Sequence, residues 1–210
     1  MIRKDSISNR WVVNNRFEAK RLISTIPLRE IIDTIEAPNE IVRLAKQLDY
    51  NSLITVGIAL KREAPDVHWV YVPDRTIIFH RYAWLSNYSP HNIPNRSFST
   101  LLVEMTFHPK KMNNLRIEKI VDEVIKGLEN LGIINKDRGE ILFYRVWMHR
   151  YGYPVHTHRT NFVRRQVLDY LHGIGIMTIG RWGTWRYLNM DRILEEAKEL
   201  TQKLINNDRQ

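Results

Sequence analysis

The chain has 210 residues, 43% apolar and 26% charged, a balance that excludes disorder as its main state. It has no cysteine, which excludes disulfides, thiolate metal sites and cysteine nucleophiles. Lys and Arg total 32 against 23 acids, net +9. With no apolar run of about 18 residues and no apolar signal-peptide core at the N-terminus, it reads as a soluble cytoplasmic protein without a membrane span.

Trp11–Val13 and Arg21–Ile26 read as short strands, the second ended by Pro27. Leu28, Ile31, Ile32 and Ile35 fall at helical spacing. Pro38 suits the first turn of a further helix, Asn39 to Leu48. Leu53–Leu60 is β-rich, and residues 67–82 read as a hairpin turning at Asp74-Arg75. Ser86–Arg96 is an irregular loop, Phe98–Phe107 a strand containing the lone Glu104, and Leu115–Leu131 a helix capped by Gly132. Ile141–Trp147 and Gly175–Ile179 follow as strands, Asn161–Tyr170 and Leu188–Ile205 as helices. Strands and helices mix without βαβ alternation, so the fold class is α+β, with a mixed or antiparallel sheet and helices on one side.

Charge is concentrated late. Ile141–Arg192 holds eight Arg, no Lys, two Asp and ten of the 21 aromatic residues. Arg binds oxyanions through a planar fork and stacks on rings, so this composition suits a phosphate-bearing aromatic ligand or nucleic acid, or a solvated basic face over an aromatic core.

Gly180-Arg181-Trp182-Gly183-Thr184-Trp185-Arg186-Tyr187-Leu188-Asn189-Met190-Asp191 is the most informative stretch. A strand, a glycine turn and a helix start place backbone N–H groups toward an acceptor. This stretch resembles the C-terminal flavin-contacting motif of the FAD-dependent amine oxidase and protoporphyrinogen oxidase-like superfamily, near its UDP-galactopyranose mutase branch. Leu22–Leu28, Trp69–Asp74, Phe79-His80-Arg81, Asn87–Pro90 with Glu104, and Tyr153-Pro154-Val155 resemble further pieces in the same order. The resemblance implies that Gly180, Arg181 and Gly183 lie against the cofactor, FAD, and that Leu188, Asn189 and Met190 supply helix-start contacts. It also implies substrate-side roles for Arg81, His156 and His158, with an anionic small molecule such as a sugar nucleotide as substrate.

The family's G-x-G-x-x-G unit is absent: the nine glycines stand at 57, 127, 132, 139, 152, 173, 175, 180 and 183. The chain is therefore expected to be a C-terminal half. Residues 1–173 would be the substrate-domain-like region, and 174–210 the strand-turn-helix that caps a missing FAD-binding domain. Alone it is not expected to hold FAD tightly. Its activity as an FAD-dependent oxidoreductase or mutase would require a separate Rossmann-bearing chain, and its uncovered apolar surface would favour an oligomer. Gly183→Val is expected to cost flavin retention while leaving the lone chain folded. The alternative is a stand-alone basic binding or interaction protein for single-stranded nucleic acid or a protein partner, without catalysis. His156 and His158 would share a face if they stood in a strand, yet no acid within residues 141–168 offers a third ligand, so no metal is expected. Glu104 is read equally as an ion-pair partner of Arg81 or as a pocket-lining group. Trp182 and Trp185 suit core packing as well as stacking on a cofactor.

Overall fold

Ile2–Lys4 (β1), Trp11–Val13 (β2) and Phe17–Ala19 (β3) form a three-stranded antiparallel sheet. Its turns place Asn9, Asn14 and Asn15 at φ near +55, a region asparagine tolerates. The short strand Leu22–Ser24 (β4) follows, cut off by Pro27 as the sequence implies. Leu28–Thr34 (α1) then buries Leu28, Ile31 and Ile32, the residues its spacing selects, and Pro38 precedes Asn39–Ala45 (α2). The computed structural model describes residues 1–135 and 139–208.

The middle of the chain builds a five-stranded sheet. Its strands are Asp49–Leu60 (β5), Trp69–Tyr71 (β6), Arg81–Trp84 (β7), Ser99–Phe107 (β8) and Ile141–Val155 (β9), in the order β6-β7-β8-β5-β9. β5 and β8 pair antiparallel from Ser52↔Phe107 to Leu60↔Ser99. Alternation along them sends Ile54, Val56, Ile58, Leu101, Val103 and Met105 to one face. There they meet Ile120, Val124 and Leu128 of the helix Ile117–Asn130 (α3), and this cluster is the core. Gly132, at φ +67, closes α3 as expected. The hairpin predicted over 67–82 forms with much shorter strands. Thr76–His80 is not strand, because Asp74 Oδ1 accepts from the Thr76 backbone and hydroxyl at 2.8 and 2.7 Å and fixes a local turn instead.

The chain ends with the helix Thr160–Gly173 (α4), the strand Ile176–Thr178 (β10), a single helical turn Gly180–Gly183 (α5) and the helix Met190–Asp208 (α6). β10 pairs in parallel with β4, with Met177 opposite Ile23, and α4 packs against both β10 and α2. The strand expected over Ile141–Trp147 runs on through Tyr153-Pro154-Val155 as one continuous strand, β9. The final helix opens at Met190 rather than at Leu188 or Asn189. The class is α+β, as the pattern indicates, with antiparallel pairing in the larger sheets and the one parallel pair β4–β10 among the described residues. The chain divides into two units, Met1–Asp49 with Pro154–Gln210, and Tyr50–Tyr153.

Gly152 tests the packing of the larger sheet. A Cβ there would lie 2.7 Å from Leu53 Cβ and 3.0 Å from the Asn51 carbonyl oxygen. Gly152→Ala should destabilise the chain by about 1–3 kcal/mol in urea titration. Gly173→Ala, with open space around the new methyl, should be neutral or stabilising by about 0.5 kcal/mol.

Candidate functional site

In the first unit, β10 leads directly into the glycine turn. Ile179 N–H donates to the Ser24 carbonyl at 3.2 Å, carrying the β4–β10 pairing one residue further. Gly180 then turns the chain at φ +82, where a side chain would be strained, and opens α5. Thr184 closes that turn: its hydroxyl and backbone N–H both donate to the Gly180 carbonyl, at 2.7 and 3.0 Å. Gly183 has a different reason to be glycine. A Cβ there would sit 2.8 Å from the Ser24 carbonyl oxygen and 3.3 Å from Thr25 Cα, so α5 rests directly on the backbone that leaves β4.

Beyond α5 the chain runs through Trp185, which is fully buried at φ +50. That conformation costs about 1–2 kcal/mol for a bulky residue, and burial of the indole, edge-on to Trp182 at 5.3 Å, offsets it. Trp185 therefore serves packing, while Trp182 is partly exposed. Arg181 folds back so that Nε and Nη2 donate to the Leu188 carbonyl at 2.8 and 2.6 Å, with its guanidinium 4.6 Å from the Tyr187 ring centroid. This clamp fixes where α6 starts. Glu196, in the second turn of α6, reaches back to Arg186 and to the Gly180 N–H at 3.4 Å. The sequence reading missed Glu196; its distance from the motif hid a contact that only the helix turn creates.

What these ties leave open is the start of α6. Asn189 is exposed, as are Tyr187 (57%), Met190 (83%) and Leu194 (71%). At Gly180 the nearest atom to an added Cβ would be Ile193 Cγ2, at 3.9 Å. Asn189 and Met190 thus stand where a planar group could approach, whereas Gly180 and Gly183 are both buried and the space at Gly183 is filled by the chain itself.

His156 and His158 lie past the end of β9, in the turn before α4, and both are exposed. They do not share a strand face, so the geometry that would join them at one ion is not present. Among the described residues no three His, Cys, Asp or Glu side chains are grouped to hold a metal.

The second unit places Arg81 on the sheet face opposite the core. The register sets Arg81 beside Glu104 on one side and Tyr71 on the other. Arg81 Nη2 lies 2.6 Å from both Glu104 oxygens, and the Tyr153 hydroxyl donates to Glu104 Oε2 at 3.3 Å. Glu104 is therefore an ion-pair partner, 7% exposed. Burial opposes the Arg81 charge, but the Glu104 hydrogen bond and charge prevail and raise its pKa. Arg81 Nε remains buried without an acceptor. Trp69 and Tyr71, edge-to-face at 5.0 Å, stand exposed beside it. Their alternation in a strand paired with Arg81 was a readable signal for this second cluster, and the sequence reading did not use it as a site.

Two outcomes follow from this cluster. Glu104→Leu leaves a half-buried guanidinium unpaired and should cost about 2–3 kcal/mol in thermal or urea unfolding, while Arg81→Leu together with Glu104→Leu should recover most of it. His80, beside the pair, has its pKa held below 6.5, first by burial and then by Arg81, against the pull of Glu104. The unfolded chain therefore takes up the proton first as pH falls. The His80 contribution is complete above pH 6.5 and is lost as the pH drops below it toward the lower folded value. His80→Gln should flatten that slope in urea midpoints compared at about pH 7.5 and about pH 5.5.

No protein-family model matches the chain. Solved structures do resemble it. A reduced UDP-galactopyranose mutase superposes with a TM-score of 0.73 at 23% identity, covering 85% of this chain and 39% of its own. A structure described as a protoporphyrinogen oxidase from Exiguobacterium sp. gives 0.65 at 16% identity, with 86% and 40% covered. The CLA-producing fatty acid isomerase from P. acnes gives 0.60 at 18%, with 92% and 44% covered. The chain spans about two fifths of the length of these proteins and shares the fold of that part.

Proposed function

We propose that this chain is the substrate-side and flavin-capping part of an FAD-dependent oxidoreductase or mutase, completed by a Rossmann-type polypeptide that holds the rest of the cofactor. The observation that carries this reading is the parallel pair β4–β10. Parallel sheets are ordinarily covered on both faces and extended by further strands. Here α4 packs on β10, but Ile23 is 42% exposed and each strand has only three residues. The exposed start of α6 lies just beyond it in sequence. A partner sheet continuing this pair would bring its cofactor to that end.

The residues present fit the group at Asn189 and Met190, the open start of α6, while Gly180, which is buried, would act by turning the chain there. Arg181 acts as a positioning residue through Leu188, and Gly183 acts by seating α5 on β4. When bound, the flavin would supply hydride or nucleophilic transfer. The start of α6 would favour negative charge beside it. Arg81, held by Glu104 and Tyr153, would bind an anionic oxygen of the substrate through its remaining donors, and Trp69 and Tyr71 would stack on a ring. His156 and His158 are exposed in the turn before α4 and remain substrate-side candidates by the resemblance alone.

FAD added to the pure chain should bind weakly. Co-expression with a G-x-G-x-x-G-bearing polypeptide from the same source should give a yellow complex, and a colourless complex with every such polypeptide would overturn the reading. Met190→Arg should then cost flavin absorbance of the complex without changing the melt of the lone chain, because Met190 is 83% exposed. Gly183→Val is the contrasting variant. The contact with Ser24 means that it should lower the melting temperature of the lone chain itself, contrary to the expectation from the motif alone.

A further inference from the structure

β9 is an end strand of the five-stranded sheet, and among the described residues no strand pairs with its far side. It has 15 residues against 12 in its neighbour β5. A long open edge is ordinarily shortened, bulged or covered, because its free N–H and C=O groups are a template for further pairing. Here Leu142–Arg145 and Trp147–Arg150 are all exposed. Consecutive residues of a strand point to opposite faces, so both faces of β9 are bare along this stretch. Leu142, Phe143, Tyr144, Trp147 and Met148 are 42–65% exposed, and of β9 only Ile141 and Val146 pack against the core. The strand carries Arg145, His149 and Arg150 and no acid. Glu140, just ahead of it, is taken by Arg62 at 3.7 Å. Arg145 meets the Trp147 ring, a contact that leaves its charge uncompensated.

We infer that an extended, acidic segment of the flavin-holding polypeptide adds to the free edge of β9 as a sixth strand of this sheet. The identity of the partner rests on the proposed function; the open edge and its charge do not. An added strand pairs the free backbone groups and sets its alternating side chains against both bare faces. Opposite charges across a strand pair stabilise it and like charges oppose it, so the segment carries acids against Arg145 and Arg150 and apolar residues against Phe143 and Trp147. A second copy of the chain fits worse. In any register of β9 against itself no acid meets these cations, because the strand holds none. The chain spans about two fifths of the proteins that share its fold, which leaves ample polypeptide to supply the strand.

The experiment is hydrogen exchange on the whole chain, alone and in the co-expressed yellow complex, read by mass spectrometry on peptides that cover residues 141–155. Amides on the free edge should exchange rapidly in the lone chain and about a hundredfold more slowly in the complex. Arg145→Glu should weaken the complex about tenfold when the two purified polypeptides are titrated. It should leave the melt of the lone chain unchanged, since Arg145 is exposed, and Arg145→Lys should keep the affinity. A yellow complex in which residues 141–155 exchange as they do in the lone chain would overturn this assignment and leave the flavin reading standing. No complex with any such polypeptide would overturn both. Unchanged affinity of Arg145→Glu would overturn the acidic character of the segment. Protection of β9 that grows with the concentration of the lone chain, alongside a dimer in sedimentation, would give the edge to a second copy. Binding of oligothymidylate that Arg145→Glu abolishes would give it to nucleic acid, and either result overturns the proposal.

Discussion

The parallel pairing of Leu22–Ser24 with Ile176–Thr178 is the constraint on which the first unit depends. It joins segments from opposite ends of the sequence, and everything in the glycine-rich motif is placed by it. The Ser24 carbonyl receives the Ile179 N–H, and the same carbonyl meets the bare α-carbon side of Gly183. Pro27 stops β4 where the chain must turn into α1, so the strand is short because its sequence ends it. From that seat, α5 directs Arg181 to the Leu188 carbonyl, and the Leu188 position in turn sets the first residue of α6. The motif is thus a chain of small geometric dependencies that begins at a backbone contact.

The second unit solves a different problem. One face of its sheet is an ordinary apolar core, sealed by α3. The opposite face carries a charge pair, which by itself contributes little to stability because desolvation offsets attraction. Such a pair has value as a positioning device. Glu104 and Tyr153 hold Arg81 in one orientation beside two exposed aromatic rings, and a guanidinium fixed in place loses less freedom when it meets a ligand. Two tryptophan environments mark the contrast: Trp84 is buried in the core, whereas Trp69 is half exposed on the open face.

Much of this was legible in the sequence because it is periodic. The α3 helix, the core strand β5 and the helix α1 repeat apolar residues at spacings that only one local geometry satisfies. The glycine-rich motif was legible as a strand, turn and helix start, and Arg81 and Glu104 were recognisable as a possible pair because an acid in an apolar strand needs a partner. What stayed hidden is set by tertiary contact. β1 and β3 have too few residues for a pattern. Thr76–His80 has strand composition but is captured by the Asp74 turn. Gly183 could be read as a glycine for a ligand, and only the position of Ser24 shows that its own chain fills that space.

The same sorting explains what composition could not. Ile141–Arg192 carries eight arginines, and a count of charges treats them alike. The fold gives them separate tasks. Arg186 and Arg192 are paired with Glu196 and Glu195 on α6, and Arg181 holds a carbonyl. Arg145 lies against Trp147, and Arg150 against Tyr151. These uses exploit the fork and the flat face of guanidinium, which lysine lacks, and they account for the absence of lysine here without invoking any ligand. Among the described residues, Arg159, Arg164 and Arg165 are the three members of the set that form no ion pair and hold no carbonyl or ring. An excess of positive charge is informative only after the internal carboxylates and carbonyls have taken their share.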